Sequence, residues 1–281
     1  MKRVWFNGGL RDGSIALSPF DRGLTLGDGL FETLLVLNGV ALDLAYHLAR
    51  LSASAEELGI MCPAAEIANS VAALSKDVKS HHVLRLTLTR GSAGRGLATD
   101  TDDFTYVATL QPFNAALMFQ PMGLALVSVC RNETSDASRM KTTSYMDQIL
   151  AAREAQAESS DEALMPNTRG RLASATIGNI LLCVGDRLVT PPLDQGILPG
   201  IMRGNVLALA AKAGFAAEER PVEPHELETA DGVFLTNALR FLCPSPRHAR
   251  QDFTPITDLL CAAAKESCGI DPRTRFEEQS P

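Results

Sequence analysis

The sequence predicts an α+β fold, and two segments carry most of that prediction. Residues 82–89 alternate leucines with polar side chains, which is the pattern of a strand buried on one face. Residues 43–59 repeat apolar side chains at helical spacing, at Leu44, Leu48, Leu51, Ala55 and Leu58. Other strand and helix patterns follow without the regular βαβ rhythm of a doubly wound sheet, so we expect α+β architecture.

Shorter patterns predict the remaining elements. Before a proline-bounded linker at 112–121, we expect strands at 4–6 and about 104–111 and a helix at about 64–76. After it, we expect a helix at 145–157, a second helix from Ile201, and strands near 122–130, 162–165, 179–184, 188–190 and 231–235. These patterns predict two domains, a smaller N-terminal α/β domain (1–115) and a larger C-terminal domain (116–281).

Composition narrows the class of protein. The chain has 281 residues, 46% of them hydrophobic, and a formal net charge of −7, which argues against nucleic acid or an anionic membrane as the main partner. It has no secretion-signal pattern and no apolar run near the roughly 18 residues that span a bilayer, so we expect a cytoplasmic protein. The six cysteines form no C-x-x-C pair, and we expect no metal site.

Three local patterns are candidates for chemistry. Lys141 lies between an apolar segment and a helix, where partial desolvation would favour Schiff-base formation. Arg50 lies beside the apolar stripe of helix 43–59, where a guanidinium could bind a phosphate or simply face solvent. Residues 198–203 form a glycine turn that opens onto a helix, which suits a phosphate but also an ordinary loop–helix junction.

The order of these patterns adds information that none carries alone. The successive segments are DRGLTLGDGLFETL, HLARL, TRGSAGRG, KTTSYMDQILAAREA, DEALMPNTRGRLASATIGNIL, VTPPLDQGILPGIMR and ADGVFLTNALRFLCP. Over residues 5–244 this succession resembles the class IV (fold type IV) aminotransferase and lyase family, which depends on pyridoxal 5'-phosphate (PLP). The resemblance implies a C-terminal domain that binds PLP and contains a mixed, barrel-like sheet. It also implies a homodimer acting on a small-molecule amino substrate.

The resemblance assigns roles to residues at matching positions. Lys141 would carry PLP as a Schiff base and move the substrate proton, and Arg50 would bind the cofactor phosphate. Backbone N–H groups of Ile201 and Met202 would bind the same phosphate, with further contacts from the segment Thr236, Asn237 and Ala238. Arg95, in the glycine-rich loop, is a candidate for binding the substrate carboxylate.

One position departs from the family pattern. The family places a glutamate against the pyridine nitrogen of the cofactor, and here Ser174 stands at that position. A carboxylate there keeps the nitrogen protonated and strengthens the cofactor as an electron sink, whereas a hydroxyl offers only a neutral hydrogen bond. This departure predicts either an enzyme that favours elimination or one with weakened activity.

Three functions remain open from the sequence. The segments GIMR, TNAL and RGSAGRG resemble those of aminodeoxychorismate lyases, which favours conversion of 4-amino-4-deoxychorismate to 4-aminobenzoate and pyruvate. The second hypothesis is an aminotransferase for D-alanine or branched-chain amino acids. The third is a non-catalytic protein that retains the PLP fold.

Overall fold

The computed structural model describes residues 3–99 and 101–276, with Ala249 described by its backbone alone. Two compact units divide the chain. Of these described residues, unit 1 holds those up to Ala115, the segment Lys141–Ser144 and those from Ala264 onward, and unit 2 holds Ala116–Met140 and Tyr145–Ala263. The two predicted domains assigned everything after residue 115 to the C-terminal domain, and their ends at 1–2 and 277–281 lie outside the described residues. The structure differs in placing the lysine segment and the C-terminal stretch with unit 1.

Unit 1 is built on one antiparallel sheet. Its strands are β1 (Arg3–Phe6), β2 (Gly9–Asp12), β3 (Gly29–Leu37), β4 (Val40–Ala41), β5 (His82–Thr89) and β6 (Thr105–Pro112). They hydrogen-bond in the order β2-β1-β6-β5-β3-β4. The helices are the short α1 (Arg22–Leu26), then α2 (Leu44–Leu58) and α3 (Ala64–Ser75).

The core of unit 1 lies on the face of the sheet that the leucines of β5 occupy. Leu84, Leu86 and Leu88 are fully buried, as their alternation predicted. Helix α2 packs on β3 and α3 packs on β6, each with its apolar stripe toward the sheet. The predicted strand at 82–89 and helix at 43–59 are therefore confirmed almost to the residue.

Unit 2 contains two mixed sheets. The first has the order β12-β11-β10-β13-β14 and the second the order β7-β8-β9. Their strands are β7 (Leu124–Leu126), β8 (Glu162–Pro166), β9 (Leu172–Ala175), β10 (Asn179–Val184), β11 (Arg187–Thr190), β12 (Ala216–Glu219), β13 (Gly232–Asn237) and β14 (Phe241–Ala249). The helices are α4 (Met146–Ala157), α5 (Ile201–Leu209) and α6 (Glu226–Thr229). Parallel pairs, β7 with β8 and β11 with β12, occur beside antiparallel ones, so the α+β class and the mixed sheet are confirmed.

The largest difference from the sequence patterns is at the C-terminal end. The last helix, α7 (Thr254–Cys268), and strand β14 were not predicted. Beyond α7, the carbonyl of Pro272 accepts a hydrogen bond from the buried ring of His81 at 2.7 Å, so this part of unit 1 packs beside the residue that precedes β5. Within residues 3–99 and 101–276, no helix is both long enough and apolar enough to cross a membrane.

Candidate functional site

The segment that carries Lys141 is attached to the beginning of β3. A 3-10 turn, Asp136–Arg139, precedes it. The Lys141 carbonyl accepts a hydrogen bond from the Phe31 N–H at 2.9 Å, and the Thr143 N–H donates to the Gly29 carbonyl at 2.8 Å. An isolated antiparallel bridge joins Leu30 to Thr142 between these bonds. Strand-like pairing therefore fixes the backbone on both sides of the lysine.

The glycines of the GDG sequence, Gly27 and Gly29, make this attachment possible. Gly27 has a φ of +69°, and a Cβ there would overlap the Ser144 hydroxyl. A Cβ on Gly29 would lie 2.9 Å from the Leu88 carbonyl oxygen and 3.2 Å from the Thr143 hydroxyl. Thr143 also donates its hydroxyl hydrogen to the Gly27 carbonyl at 2.8 Å. Only residues without a side chain allow the lysine segment this close to β3.

An aromatic ring lies beneath the predicted Schiff-base lysine. The Nζ of Lys141 is 4.5 Å from the centre of the Phe31 ring, and the guanidinium carbon of Arg85 is 3.8 Å from the same centre. Both cations are within the distance at which the negative face of a ring attracts positive charge. The structure thus places two basic side chains over Phe31, and only Lys141 was predicted from the sequence as a site residue.

Arg50 is held by a buried glutamate, Glu32, which was not predicted from the sequence as a site residue. The Nε of Arg50 donates to one carboxylate oxygen of Glu32 at 2.8 Å and its Nη2 to the other at 2.7 Å. The Nδ1 of His47, one helical turn before Arg50, is 2.6 Å from the same carboxylate. Glu32 is 1% exposed. A charged residue in the middle of the apolar stretch LFETLLVL was the available signal for this role.

The Glu32 carboxylate stays ionised in this environment. Burial, the largest effect, raises its pKa, but hydrogen bonds and charge from His47 and Arg50 outweigh burial and hold the pKa below its usual value. The Nε2 atom of His47 is buried and has no hydrogen-bond partner in the described chain. Glu32 therefore fixes the orientation of the Arg50 guanidinium through two parallel hydrogen bonds.

Lys141 and Arg50 approach the same strand from opposite faces. Phe31 and Glu32 are consecutive in β3, so their side chains project to opposite sides of the sheet. Lys141 lies over Phe31, whereas Arg50 reaches Glu32 from helix α2. The structure thus places the two predicted residues against consecutive positions of one strand, on its two faces.

In unit 2, the turn before α5 is fixed by an asparagine. The Nδ2 of Asn179 donates to the Leu198 carbonyl at 2.9 Å, and a Cβ on Gly200 would overlap the Asn179 side chain. Gly200 is the N-cap of α5, and among the described residues no side chain caps this terminus by a hydrogen bond. The first N–H groups of α5, which include those of Ile201 and Met202, thus have the free donor capacity that suits an anion.

The end of β13 lies next to this turn. Thr236 pairs with Asn179 across the sheet, and α5 packs against β13. Thr236 is buried, and its hydroxyl oxygen has no hydrogen-bond partner within residues 3–99 and 101–276. A buried unpaired hydroxyl beside an uncapped helix terminus fits a bound phosphate group, and the residues present are therefore compatible with PLP.

Asn237 is the last residue of β13, and Ala238 begins the turn into β14. The side-chain oxygen of Asn237 accepts hydrogen bonds from the Leu239 N–H at 3.0 Å and the Arg240 N–H at 2.8 Å. This Asx turn is a structural role for Asn237. The phosphate contacts expected of Asn237 and Ala238 stay predictions. The Thr236 hydroxyl has more unused hydrogen-bonding capacity than the Asn237 side-chain oxygen, which already accepts two hydrogen bonds.

Ser174 lies in β9, buried, opposite Met165 of β8. Strand β8 begins with a buried acid, Glu162, which accepts hydrogen bonds from the Thr176 hydroxyl, the Thr176 N–H at 3.0 Å and the Ala163 N–H at 2.9 Å. Burial raises the pKa of Glu162 despite the hydrogen bonds from Thr176. The hydrogen bonds of Glu162 thus connect β8 to the residue that follows β9. At position 174 the side chain is a neutral hydroxyl.

Arg95 is exposed in the loop after β5, and a buried ion-pair cluster anchors that loop. Arg22 donates to Asp28 at 2.8 Å and also to the Gly96 and Leu97 carbonyls at 2.7 and 2.9 Å. Arg90 donates to the same carboxylate at 2.8 Å. Partial burial of Asp28 works against ionisation, but hydrogen bonds from the two arginines hold its pKa below the usual value. The DRGLTLGDG segment thus fixes the base of the loop.

Comparison with known proteins supports the family resemblance that the sequence segments indicate. The model of the family described as amino-transferase class IV matches residues 29–245. The chain is 29% identical to an aminodeoxychorismate lyase of Bacillus subtilis over 86% of this chain and 85% of the relative. It is also 29% identical to a D-alanine aminotransferase of Bacillus licheniformis, over 86% of this chain and 87% of the relative.

The fold agrees with these relatives. A branched-chain aminotransferase of Thermoproteus uzoniensis, solved with norvaline, superimposes with a TM-score of 0.84 at 26% identity, over 95% of each chain. The family match covers most of the chain and includes β3, the lysine segment, α5 and β13. The chain therefore belongs to the amino-transferase class IV family of PLP-dependent enzymes.

Proposed function

We propose that the protein is a PLP-dependent lyase that converts 4-amino-4-deoxychorismate to 4-aminobenzoate and pyruvate. When bound, PLP supplies an electron sink conjugated to the substrate amine. Lys141 would anchor it, and the Lys141 amine, when free, would take the proton from the ring carbon that carries the substrate amine. The enolpyruvyl group would leave with the electrons of its C–O bond, take up a proton and become pyruvate. The fixed backbone around Lys141 and the Phe31 ring beneath its amine support this role.

Four groups are proposed to hold the cofactor phosphate. The N–H groups of Ile201 and Met202 and the Thr236 hydroxyl have unused hydrogen-bonding capacity. Arg50 would add positive charge, with its guanidinium oriented by Glu32. Arg95 would bind the substrate carboxylate from the loop anchored by Arg22. Ser174 would donate a neutral hydrogen bond at the pyridine nitrogen.

The buried Ser174 is the observation that favours a lyase. Without a carboxylate partner the ring nitrogen is less readily protonated, which weakens the electron sink. Transamination depends on the electron-withdrawing strength of the cofactor in both its forward and its reverse half-reaction. An elimination that expels pyruvate and gains an aromatic ring is less dependent on it. Ser174 therefore penalises transamination more than elimination.

An aminotransferase is the second candidate. The similarity to the D-alanine aminotransferase equals the similarity to the lyase in percentage identity, and the solved branched-chain aminotransferase shares the fold. Substrates for this reading are D-alanine or branched-chain amino acids, with a 2-oxo acid as acceptor. The same residues would bind PLP in both cases, so the two candidates differ in substrate and in the fate of the proton.

A direct assay separates the candidates. The PLP-loaded protein is supplied with 4-amino-4-deoxychorismate while pyruvate is followed by NADH oxidation with lactate dehydrogenase and 4-aminobenzoate by its fluorescence. Equal release of both products supports the lyase. Formation of pyridoxamine phosphate from D-alanine or leucine, without pyruvate from the first substrate, would replace it with the aminotransferase. No turnover of any substrate would favour the non-catalytic alternative.

The variant Ser174→Glu sharpens this assay, with Ser174→Ala as its control. A carboxylate at this position would stabilise the protonated form of the ring nitrogen. We expect at least about a tenfold faster half-reaction with D-alanine or leucine in Ser174→Glu and no gain in Ser174→Ala. If both variants transaminate at the wild-type rate, residue 174 is not the partner of the ring nitrogen.

We also propose that the protein acts as a homodimer. Large apolar side chains are exposed close to the Arg95 loop in unit 1: Phe20 is 73%, Leu24 62% and Leu97 82% exposed. Exposed apolar residues of this size are typical of an interaction surface. Light scattering after size-exclusion chromatography tests this: a mass of about 60 kDa, twice the 30.1 kDa chain, supports the dimer, and a monomer contradicts it.

A further inference from the structure

Arg131 has an unusual set of hydrogen-bond partners. It lies in unit 2, where its N–H donates to the Pro166 carbonyl at 2.7 Å beside the end of β8. Its guanidinium donates only to main-chain oxygens: Nε to the Gly196 carbonyl at 3.1 Å and Nη2 to the Ser138 carbonyl. In the part of the chain that the structure describes, its guanidinium forms no salt bridge. A largely buried guanidinium that has the charge of Asp147 in its surroundings but forms no salt bridge needs a reason, because burial of a charge is costly.

The two oxygens belong to two different segments of unit 2. Ser138 is in the 3-10 turn Asp136–Arg139, which ends two residues before Lys141. Gly196 ends the 3-10 turn Leu193–Gln195, four residues before the Gly200 N-cap of α5. Arg131 thus joins the turn that leads to the predicted Schiff-base lysine and the turn that leads to the predicted phosphate site.

Further contacts hold both turns to the chain around Arg131. The Ser138 hydroxyl donates to the Asn132 carbonyl at 2.7 Å. On the other side, the Asn167 side chain donates to the Gln195 side chain at 3.0 Å. Gly196 has a φ of +77°, and a Cβ on it would lie 2.7 Å from the Glu133 Cα. The glycine is required for the second turn to come this close.

We infer that Arg131 is a positioning residue that fixes the turn before Lys141 and the turn before α5 to one common segment, residues 131–133. The fork of the guanidinium can donate to both carbonyl oxygens at once, whereas a lysine has a single ammonium group on a flexible stem. This inference rests on the proposed function, because it concerns the two attachment points of PLP. Its consequence is that Arg131 sets cofactor affinity without contacting the substrate.

The test compares Arg131→Met and Arg131→Lys with Arg139→Met. Arg139 is a matched control because it lies in the same turn and pairs with Asp136 at the surface. The apoprotein of each variant is titrated with PLP, the dissociation constant is read from the absorbance of the lysine-bound cofactor, and the pH midpoint of that band is measured. Thermal unfolding of each apoprotein is recorded separately.

We expect Arg131→Met to raise the PLP dissociation constant at least about tenfold and to shift the pH midpoint, with Arg139→Met within about twofold of wild type. Arg131→Lys should restore less than half of the lost affinity on a logarithmic scale. Full rescue by lysine would mean that charge alone matters, and would overturn the inference. Wild-type affinity and an unchanged midpoint in Arg131→Met would overturn it as well.

A second variant guards against a folding defect in Arg131→Met. Ser138→Ala removes only the hydroxyl contact to Asn132 and keeps the Arg131 hydrogen bond, which uses the carbonyl. We expect a rise of about threefold in the PLP dissociation constant with the apoprotein melting within about 2 °C of wild type. Unchanged affinity in this variant would contradict the role of the turn. A wild-type protein that never develops the PLP band would overturn the proposed function itself, and is thereby distinguished from failure of the Arg131 inference.

Discussion

The amine of Lys141 lies 4.5 Å from the centre of the Phe31 ring, while the backbone N–H of Phe31 donates to the Lys141 carbonyl at 2.9 Å. One residue of β3 therefore holds the lysine at both its main chain and its side chain. The guanidinium of Arg85 lies over the same ring. The cation–ring attraction contributes about 0.5–1 kcal/mol where solvent has access, which suffices to favour one direction of a flexible side chain.

The first prediction concerns this lysine. Lys141→Ala should lose the visible absorbance band of protein-bound PLP and should not be trapped by borohydride, because no other amine is proposed to anchor the cofactor. Lys79→Ala, at an exposed lysine of unit 1, is the control and should retain the band. A band that persists and is trapped in Lys141→Ala would assign the anchor to a different residue.

The second prediction concerns the Glu32–Arg50 pair. Glu32→Gln removes the charge that both Arg50 and His47 contact, and leaves the Arg50 guanidinium without its buried counter-ion. We expect the free energy of unfolding to fall by about 3 kcal/mol, in the range for breaking one side of a buried pair. Urea unfolding at pH 7 measures this, with Glu57→Gln on the exposed face of α2 as the control.

The same pair predicts a dependence on pH. The folded-state pKa of Glu32 lies below its ordinary value, so its contribution is present above about pH 4.5 and is lost as the pH falls through the folded-state pKa. The wild-type protein should therefore lose stability more steeply than Glu32→Gln as the pH falls below about 4.5. Parallel curves for the two proteins would show that Glu32 is not the ionised partner of Arg50.

Local periodicity was sufficient for much of the fold. The leucines of β5 and the stripe of α2 follow the period of one element each, so neither needs knowledge of distant residues. Strand β9 was missed because LASA carries no alternation, and its burial depends on β8. Strand β14 was missed because Pro244 and Pro246 disfavour a strand, yet β14 is the edge of its sheet, where proline is tolerated.

In the candidate site, too, contacts between residues distant in sequence could not be predicted. Family resemblance indicated Lys141, Arg50 and the α5 turn, because those residues recur at fixed positions in motifs. The partners that orient them could not be read from spacing. Glu32 meets Arg50 across 18 positions and Arg131 meets Gly196 across 65, and such pairs arise only from the tertiary fold. Those partners are polar residues within or beside apolar segments, which is the one signal the sequence offers for them.

The third prediction concerns His81, whose ring is 3% exposed and faces Pro272 and Phe276. Burial and the positive charges of Arg275 and His82 outweigh the hydrogen bond to Pro272 and hold the pKa of His81 below its ordinary value. The unfolded chain then binds a proton at a higher pH than the folded chain. Stability is therefore complete above about pH 6.5 and falls as the pH decreases below it.

The measurement is the free energy of unfolding in urea at pH 7.5 and pH 5.5. Wild type should lose up to about 1 kcal/mol more over this interval than His81→Gln, since one proton contributes at most about 1.4 kcal/mol per pH unit. His225→Gln serves as a control. His248, whose pKa burial also lowers, is present in all three proteins and cancels in the comparison. An equal loss in His81→Gln and wild type would exclude His81 as the group that titrates.

The fourth prediction concerns Arg22 and the loop that carries Arg95. Arg22 is 6% exposed and donates to Asp28 and to the carbonyls of Gly96 and Leu97, on the C-terminal side of Arg95. In Arg22→Met those carbonyls lose their donor, so the loop regains conformational freedom that substrate binding must then remove. We expect KM for the carboxylate substrate to rise about tenfold while kcat changes less than about threefold, because the backbone hydrogen bonds that hold the Lys141 segment to β3 do not involve Arg22.

Arg11→Met, at an exposed arginine of β2, should leave KM unchanged, and Arg95→Met should raise it. If Arg22 acts through Arg95, the double variant Arg22→Met/Arg95→Met will have a KM close to that of Arg95→Met alone. Once Arg95 is replaced, loss of Arg22 no longer affects substrate binding, because the guanidinium that Arg22 helps to orient is already absent. If the two effects multiply instead, Arg22 and Arg95 act independently. The cluster at Asp28 would then stabilise unit 1 without a part in substrate binding.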